Sequence, residues 1–270
     1  MTDPTDLYYD VRGVGPVLLV IPGGAGHPMG FDALTDRLAK RFTVVTYDPL
    51  GLAHGRLGLP VGEQSVTAWS EGAHRVLGEV LPDGESAYVF GTSSGAIAAL
   101  DLLARRPERL RRVVAHEPPV VEVLPDADVQ RAMFAEVYDV YRAAGLGAGA
   151  ARLGAGLEER AWTADRSLDS QRPSADDELT KPMALFLTRV LGPFTAYMPD
   201  TTALKQLPGR LVLGAGVDSR GRLLHRTATL VSELSGGEFV EFPGGHIGVA
   251  EHPADFAELL ARTLLSVTVH

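Results

Sequence analysis

Ala87-Tyr88-Val89-Phe90-Gly91-Thr92-Ser93-Ser94-Gly95-Ala96-Ile97-Ala98-Ala99-Leu100 joins a β-branched and aromatic run to an Ala/Leu-rich run through Gly-x-Ser-x-Gly. The first part has strand character and the last part helical character, so the pentapeptide sits at a strand-to-helix turn. A serine on so tight a turn projects its oxygen from the sheet only if its backbone is strained. The residues two before and two after it must then lack side chains that would clash. Gly91 and Gly95 meet that need, which makes Ser93 the first candidate nucleophile. By itself the pattern also arises by chance, and its weight depends on what the rest of the chain supplies.

The flanking sequence repeats the same rhythm. Strand-like runs at Val17 to Ile21, Phe42 to Tyr47, Ala87 to Phe90, Val113 to Ala115, Leu211 to Leu213 and Phe239 to Phe242 alternate with helical periodicity. The helical segments are Phe31 to Lys40, Glu63 to Val80, Ser94 to Arg105, Gly221 to Leu234 and Pro253 to Ser266. This alternation predicts an α/β fold, a mostly parallel sheet with helices on both faces. It breaks once, from about Val120 to Leu207, where helical segments near Val129 to Ala144 and Asp176 to Leu191 flank a Gly/Ala-rich passage from Gly145 to Gly156. The expected organisation is a core of residues 1–119 and 208–270 with a helical lid inserted at 120–207. The glycines of the passage either separate short helices or form a mobile gate. Apolar residues and the aromatics Phe134, Tyr138, Tyr141, Phe186, Phe194 and Tyr197 give the insertion more apolar surface than it could leave in water, so part of it should roof a small-molecule pocket.

Composition narrows the functional classes. The 270 residues, 45% of them hydrophobic, suffice for one large domain, while a net charge of −9 without a long basic cluster argues against nucleic acid. The short Arg105-Arg106 and Arg109 to Arg112 patches are expected to solvate helix ends or loops. Absence of cysteine removes disulfides, thiolate metal sites and a cysteine nucleophile, and the eight histidines show no metal-ligand spacing with carboxylates. No metal and no organic cofactor are expected. Neither a signal segment nor a bilayer-spanning run is evident, so a cytoplasmic protein without a membrane partner is expected. Arg far exceeds Lys, and Ala and Gly abound, as in proteins of GC-rich bacterial genomes.

Three further positions complete a constellation. Pro22-Gly23-Gly24-Ala25-Gly26 ends the first core strand and reads as an oxyanion turn, a plain glycine turn or a dinucleotide-binding loop. The third glycine falls at Gly30, off the dinucleotide spacing, which favours the oxyanion reading with Gly24 and Ser94 amides as donors. Asp218 follows Leu211-Val212-Leu213, and His246 follows Phe239-Val240-Glu241-Phe242, both just past strand ends, where open parallel sheets place their chemistry. A serine hydroxyl needs a neutral imidazole to take its proton and a carboxylate to orient that imidazole, and the chain order Ser93, Asp218, His246 suits those roles. Taken singly, Asp218 reads equally as a helix cap and His246 as a loop histidine.

With these residues in hand, the chain resembles the α/β-hydrolase superfamily over nearly its whole length. The resemblance rests on Pro22-Gly23-Gly24, Tyr47-Asp48, Gly91-Thr92-Ser93-Ser94-Gly95, Gly216-Val217-Asp218 and Gly245-His246. It implies an eight-stranded sheet, its first two strands within Asp6 to Val14, a lid after the sixth strand and a Ser93–His246–Asp218 triad. Glu117 sits where some relatives carry the triad acid and is the reserve carboxylate. Pro22 replaces the histidine common at the oxyanion turn, and Asp48-Pro49-Leu50-Gly51 departs from the usual Arg-Gly pair. His27 and His54 can face the substrate pocket from neighbouring strand ends, although a surface loop position accounts for each more simply. The implied activity is a serine hydrolase acting on an ester, thioester, lactone or labile amide of a small hydrophobic molecule. A lyase or cyclase of a biosynthetic pathway and a ligand-binding receptor are the other readings the superfamily permits. The oligomeric state is left open.

Overall fold

The computed structural model describes residues 7–28, 30–163, 173–174 and 176–266. In chain order the strands are β1 (Tyr9–Arg12), β2 (Val17–Ile21), β3 (Thr43–Tyr47), β4 (Ala87–Thr92), β5 (Leu110–His116), β6 (Leu211–Gly216) and β7 (Glu238–Phe242). They form one sheet in the order β1-β3-β2-β4-β5-β6-β7, parallel throughout except for antiparallel β1 at the edge.

Among the described residues the sheet thus has seven strands rather than the eight expected. Tyr9–Arg12 pairs with Tyr47 to Val44 and runs straight into the turn at Gly13 to Pro16. Only Leu7 and Tyr8 precede it in the description, too few for another strand, and Asp6 lies outside the described residues.

Helices α1 (Asp32–Leu38), α2 (Val66–Val80) and α3 (Ser94–Arg105) accompany the first half of the sheet. Between β5 and β6 lie α4 (Ala127–Ala144), α5 (Leu146–Leu157), α6 (Asp177–Thr180), α7 (Pro182–Leu185), α8 (Leu191–Thr195) and α9 (Thr201–Lys205), with a π-helical turn at Phe186–Val190 and no strand among the described residues. The chain closes with α10 (Leu223–Ser235), α11 (Gly248–Glu251) and α12 (Pro253–Leu265). Helix α2 begins three residues later than periodicity suggests because Ser65 caps it, its hydroxyl accepting the Ala68 amide.

The alternation of side chains along a strand explains the all-apolar Val17-Leu18-Leu19-Val20-Ile21. Val17, Leu19 and Ile21 face a core shared with α2, α3, α10 and the insertion, whereas Leu18 and Val20 face one shared with α1 and α12. Strand β5 is longer than its apolar centre. Arg112, expected at a solvated end, is buried there with its guanidinium on Glu238 at 2.6 Å and on the Ser266 carbonyl. Arg105 and Arg106, by contrast, hold Glu71 at the surface.

The Gly/Ala-rich passage forms helix α5, with Gly145 separating it from α4. Its alanines favour helix, and two glycines let it lie against α4. A methyl at Gly149 would approach Tyr141 Cβ to 2.8 Å, and one at Gly156 would strike Met133 Sδ at 2.3 Å.

Candidate active site

Ser93 leaves β4 at φ 54°, ψ −125°, a backbone state that costs a non-glycine residue about 1–3 kcal/mol. The elbow is held by the Ser93 amide donating to the His116 carbonyl at 2.9 Å and by the Ala96 amide donating to the Ser93 carbonyl. Its glycines are sterically required. A Cβ at Gly91 would lie 2.3 Å from the Gly95 carbonyl oxygen, and one at Gly95 would lie 2.0 Å from that of Ile21. The turn after β2 is pressed onto the same elbow, since a Cβ at Gly23 would meet Ser93 Cβ at 2.9 Å. Gly24 adopts φ +59°, and the Ser94 hydroxyl donates to its carbonyl at 2.8 Å. Ser94 opens α3, so its amide is one that the helix itself leaves unpaired.

His246 is brought in by Pro243-Gly244-Gly245, a loop that folds back flat across the end of β6. A Cβ at Gly216 would come within 2.4 Å of the Gly244 carbonyl oxygen and 2.6 Å of Gly245 Cα. Crossing β6 carries the imidazole to the end of β5, where His246 Nδ1 lies 2.8 Å from Glu117 Oε2. The acid expected at this imidazole was Asp218, and the structure brings Glu117 there instead. Asp218 lies exposed in the 3-10 turn after β6, its amide donating to the Gly244 carbonyl at 3.0 Å. The reason is topological: the loop bearing His246 passes over the turn that carries Asp218.

Glu117 is fully buried and held from every side. It sits at φ 48°, its amide donates to the Gly214 carbonyl at 2.8 Å, its Oε1 accepts the Gly216 amide at 2.9 Å, and the nearby Ser219 hydroxyl also favours its ionised form. Burial pushes the carboxyl pKa up, but the hydrogen bond and charge of His246 outweigh it and leave the group ionised down to about 2. The preceding His116 faces the opposite layer, edge-on to Phe242 and Phe256, where burial lowers its pKa to about 4 and keeps it neutral.

Ser93, His246, Gly24 and His27 line one cavity of about 440 Å³. Its far wall comes from the insertion, including Phe134 and Leu153, and its mouth from Met183 and Ile247, both partly in solvent. Among the described residues no carboxylate, guanidinium or ammonium lines it. Phe186 also lines it, whereas three other insertion aromatics serve packing: Phe194 meets Trp69 edge-on at 4.7 Å, Tyr141 lies under α5, and the Tyr197 hydroxyl donates to Asp101 at 2.7 Å; Tyr138 is exposed. His54 is not in this cavity. Its Nδ1 lies 3.1 Å from Asp48, whose carboxylate also caps the Leu52 and Ala53 amides. Sequence reasoning had no signal for Ser219, which acts only through the folded position of Glu117. Among the described residues there is no cluster of three or more His, Asp or Glu that could hold a metal, and no helix long and apolar enough to cross a membrane.

Comparison with known proteins agrees with this architecture. A model of the alpha/beta hydrolase family matches residues 17–259. An uncharacterized hydrolase of Bacillus subtilis (strain 168), YraK, is 30% identical over 260 residues, spanning 94% of this chain and 91% of its own. A zearalenone hydrolase of Bionectria ochroleuca is 32% identical over 113 residues, 42% of this chain and 43% of that protein. Two crystal structures share the fold. MGS-M2, an alpha/beta hydrolase enzyme from a Medee basin deep-sea metagenome library, has a TM-score of 0.72 at 15% identity and covers 98% of this chain and 96% of its own. The enol-lactonase from Burkholderia xenovorans LB400 has a TM-score of 0.65 at 16% identity and covers 96% of each chain. With a family match over most of its length and a hydrolase relative along nearly all of it, the chain belongs to the alpha/beta hydrolase family and is a hydrolase.

Proposed function

We propose that this enzyme is a serine hydrolase that opens a carboxylic ester, thioester, lactone or labile amide of a small, uncharged, hydrophobic molecule through an acyl-enzyme. The observation that carries the reading is the His246 imidazole, seated on the buried Glu117, facing the same apolar cavity as the strained Ser93. Glu117 accepts the Nδ1 proton of His246, which leaves Nε2 as the base. Ser93 Oγ attacks the substrate carbonyl as its proton passes to Nε2, and the Gly24 and Ser94 amides receive the developing oxyanion. The imidazolium then protonates the departing alcohol, thiol or amine. Water, activated by the same imidazole, releases the acid and restores Ser93.

The cavity supports the substrate class. Its volume of about 440 Å³ lies in the range of small-molecule sites, and among the described residues its wall has no carboxylate, guanidinium or ammonium to pair with a charged acyl group. In this reading the insertion is a roof that excludes water, and Phe134, Leu153 and Phe186 receive the acyl or ring portion. The likeness to an enol-lactonase and to a zearalenone hydrolase supports including lactones in the substrate panel.

The test is covalent. A fluorophosphonate probe followed by intact-mass analysis should add one label to the wild-type enzyme and none to Ser93→Ala, with turnover of p-nitrophenyl esters and aryl lactones falling by several orders of magnitude in that variant. Wild-type enzyme that takes no label, or a Ser93→Ala variant with full turnover, would remove the proposal.

A further inference from the structure

We infer that the Ser94 hydroxyl is a positioning group for the oxyanion site. It fastens the Gly24 turn to the nucleophile elbow so that the two amide donors come from one rigid unit. This rests on the acyl-enzyme reading above and assigns the Ser94 side chain a task separate from its backbone amide. The two donors belong to different elements, the turn after β2 and the first turn of α3, which are 70 residues apart in sequence. An oxyanion site works only if its donors are aimed before charge develops, because a turn that must reorient during the reaction spends the stabilisation it supplies.

Two hydrogen bonds set the planes of the turn. The Gly26 amide donates to the Gly23 carbonyl at 2.9 Å, and the Ser94 hydroxyl donates to the Gly24 carbonyl at 2.8 Å. In a trans peptide the N–H points opposite to the C=O, so fixing the Gly23 carbonyl also fixes the direction of the Gly24 N–H. The bond from Ser94 fixes the next plane and stops the turn from rotating about Gly24. That residue needs such a restraint. It lies at φ +59°, and among the described residues no atom lies within 4 Å of where a Cβ would be, so no contact on that side restrains it. Ser94 itself is 1% exposed, so water does not compete for its hydroxyl.

The test compares Ser94→Ala with Ser94→Cys, which keeps a weaker donor at the same place. Each variant is first labelled with fluorophosphonate to show an intact, reactive Ser93. Three quantities are then measured: kcat and KM on a p-nitrophenyl ester, the Ki of an alkyl trifluoromethyl ketone that forms a tetrahedral oxyanion adduct, and the Kd of the corresponding methyl ketone. In Ser94→Ala, kcat should fall by roughly ten- to fiftyfold, less than the ~10²–10³ lost when an oxyanion donor is itself deleted. The trifluoromethyl ketone should weaken by the same factor, with KM and the methyl ketone Kd within about twofold, and Ser94→Cys should fall between. If Ser94→Ala does not fold, the Cys variant against wild type carries the comparison. Unchanged kcat and trifluoromethyl ketone affinity, or equal weakening of both ketones, would overturn the positioning role. Failure of the wild-type enzyme to label would instead overturn the acyl-enzyme reading.

Discussion

Replacing Glu117 by Gln changes one atom of a buried group, and its consequence follows from the donors around it. The carboxylate meets two: His246 Nδ1–H at 2.8 Å on one oxygen and the Gly216 amide at 2.9 Å on the other. An amide side chain offers one acceptor oxygen where the carboxylate offered two, so a donor must face a donor. The Gly216 amide is fixed at the end of β6, whereas the imidazole can change tautomer. The amide oxygen should therefore stay on Gly216 and its NH2 should turn to His246. This leaves the imidazole accepting at Nδ1 and carrying its proton on Nε2, unable to take one from Ser93. The expected loss is roughly 10⁴-fold in kcat, about 5.5 kcal/mol of transition-state stabilisation, with KM little changed. Asp218→Asn serves as the comparison. Its side chain is exposed, and among the described residues its recorded bond is through the backbone amide, so turnover should stay within about threefold of wild type. Steady-state kinetics on a p-nitrophenyl ester, normalised to sites titrated by fluorophosphonate, measures both. A larger loss in Asp218→Asn than in Glu117→Gln would refute the reasoning and return the acid to the turn after β6.

Other outcomes follow from the same geometry. Gly95→Ala should destabilise by about 3 kcal/mol or more, seen as a lowered midpoint in urea, because its methyl would lie 2.0 Å from the Ile21 carbonyl oxygen and neither backbone can yield easily; an unchanged midpoint would mean that α3 and β2 are not in this contact. The Glu117 pKa is depressed on folding, from 4.5 to about 2, so its contribution to stability is present above about pH 4.5 and is lost as pH falls toward 2. Urea melts over that window should show Glu117→Gln losing up to about 1.4 kcal/mol per pH unit of the wild-type slope, and parallel slopes would contradict the pairing of that carboxylate with His246. Leu153→Trp should fill the insertion side of the cavity and reduce kcat/KM for octanoyl far more than for acetyl esters, whereas an equal effect on both would place the acyl chain elsewhere.

The sequence by itself determined the features whose cause is local. Alternating strand-like and helical periods specify a parallel sheet because each strand must be covered on both faces, as the all-buried Val17 to Ile21 is. The turn at Ser93 is legible because Gly91 and Gly95 are the residues that let two backbones touch there. Where the outcome depends on distant segments, local readings failed and folding chose. Glycine and alanine together read as a break, yet they form α5, because close approach to Tyr141 and Met133 turns missing side chains into packing surface. Arg112 reads as a surface charge, but the order of strands places Glu238 beside it. The glycine turn at Gly216 favours Asp218 as the acid partner of His246, with Glu117 in reserve, and the structure reverses that order. Asp218 and Glu117 both follow strand ends, and nothing in either segment tells how the loop before His246 will run. Only the tertiary structure decided it, because that loop crosses β6 on its way to the end of β5. The crossing buries Glu117 beneath the imidazole and leaves Asp218 in water.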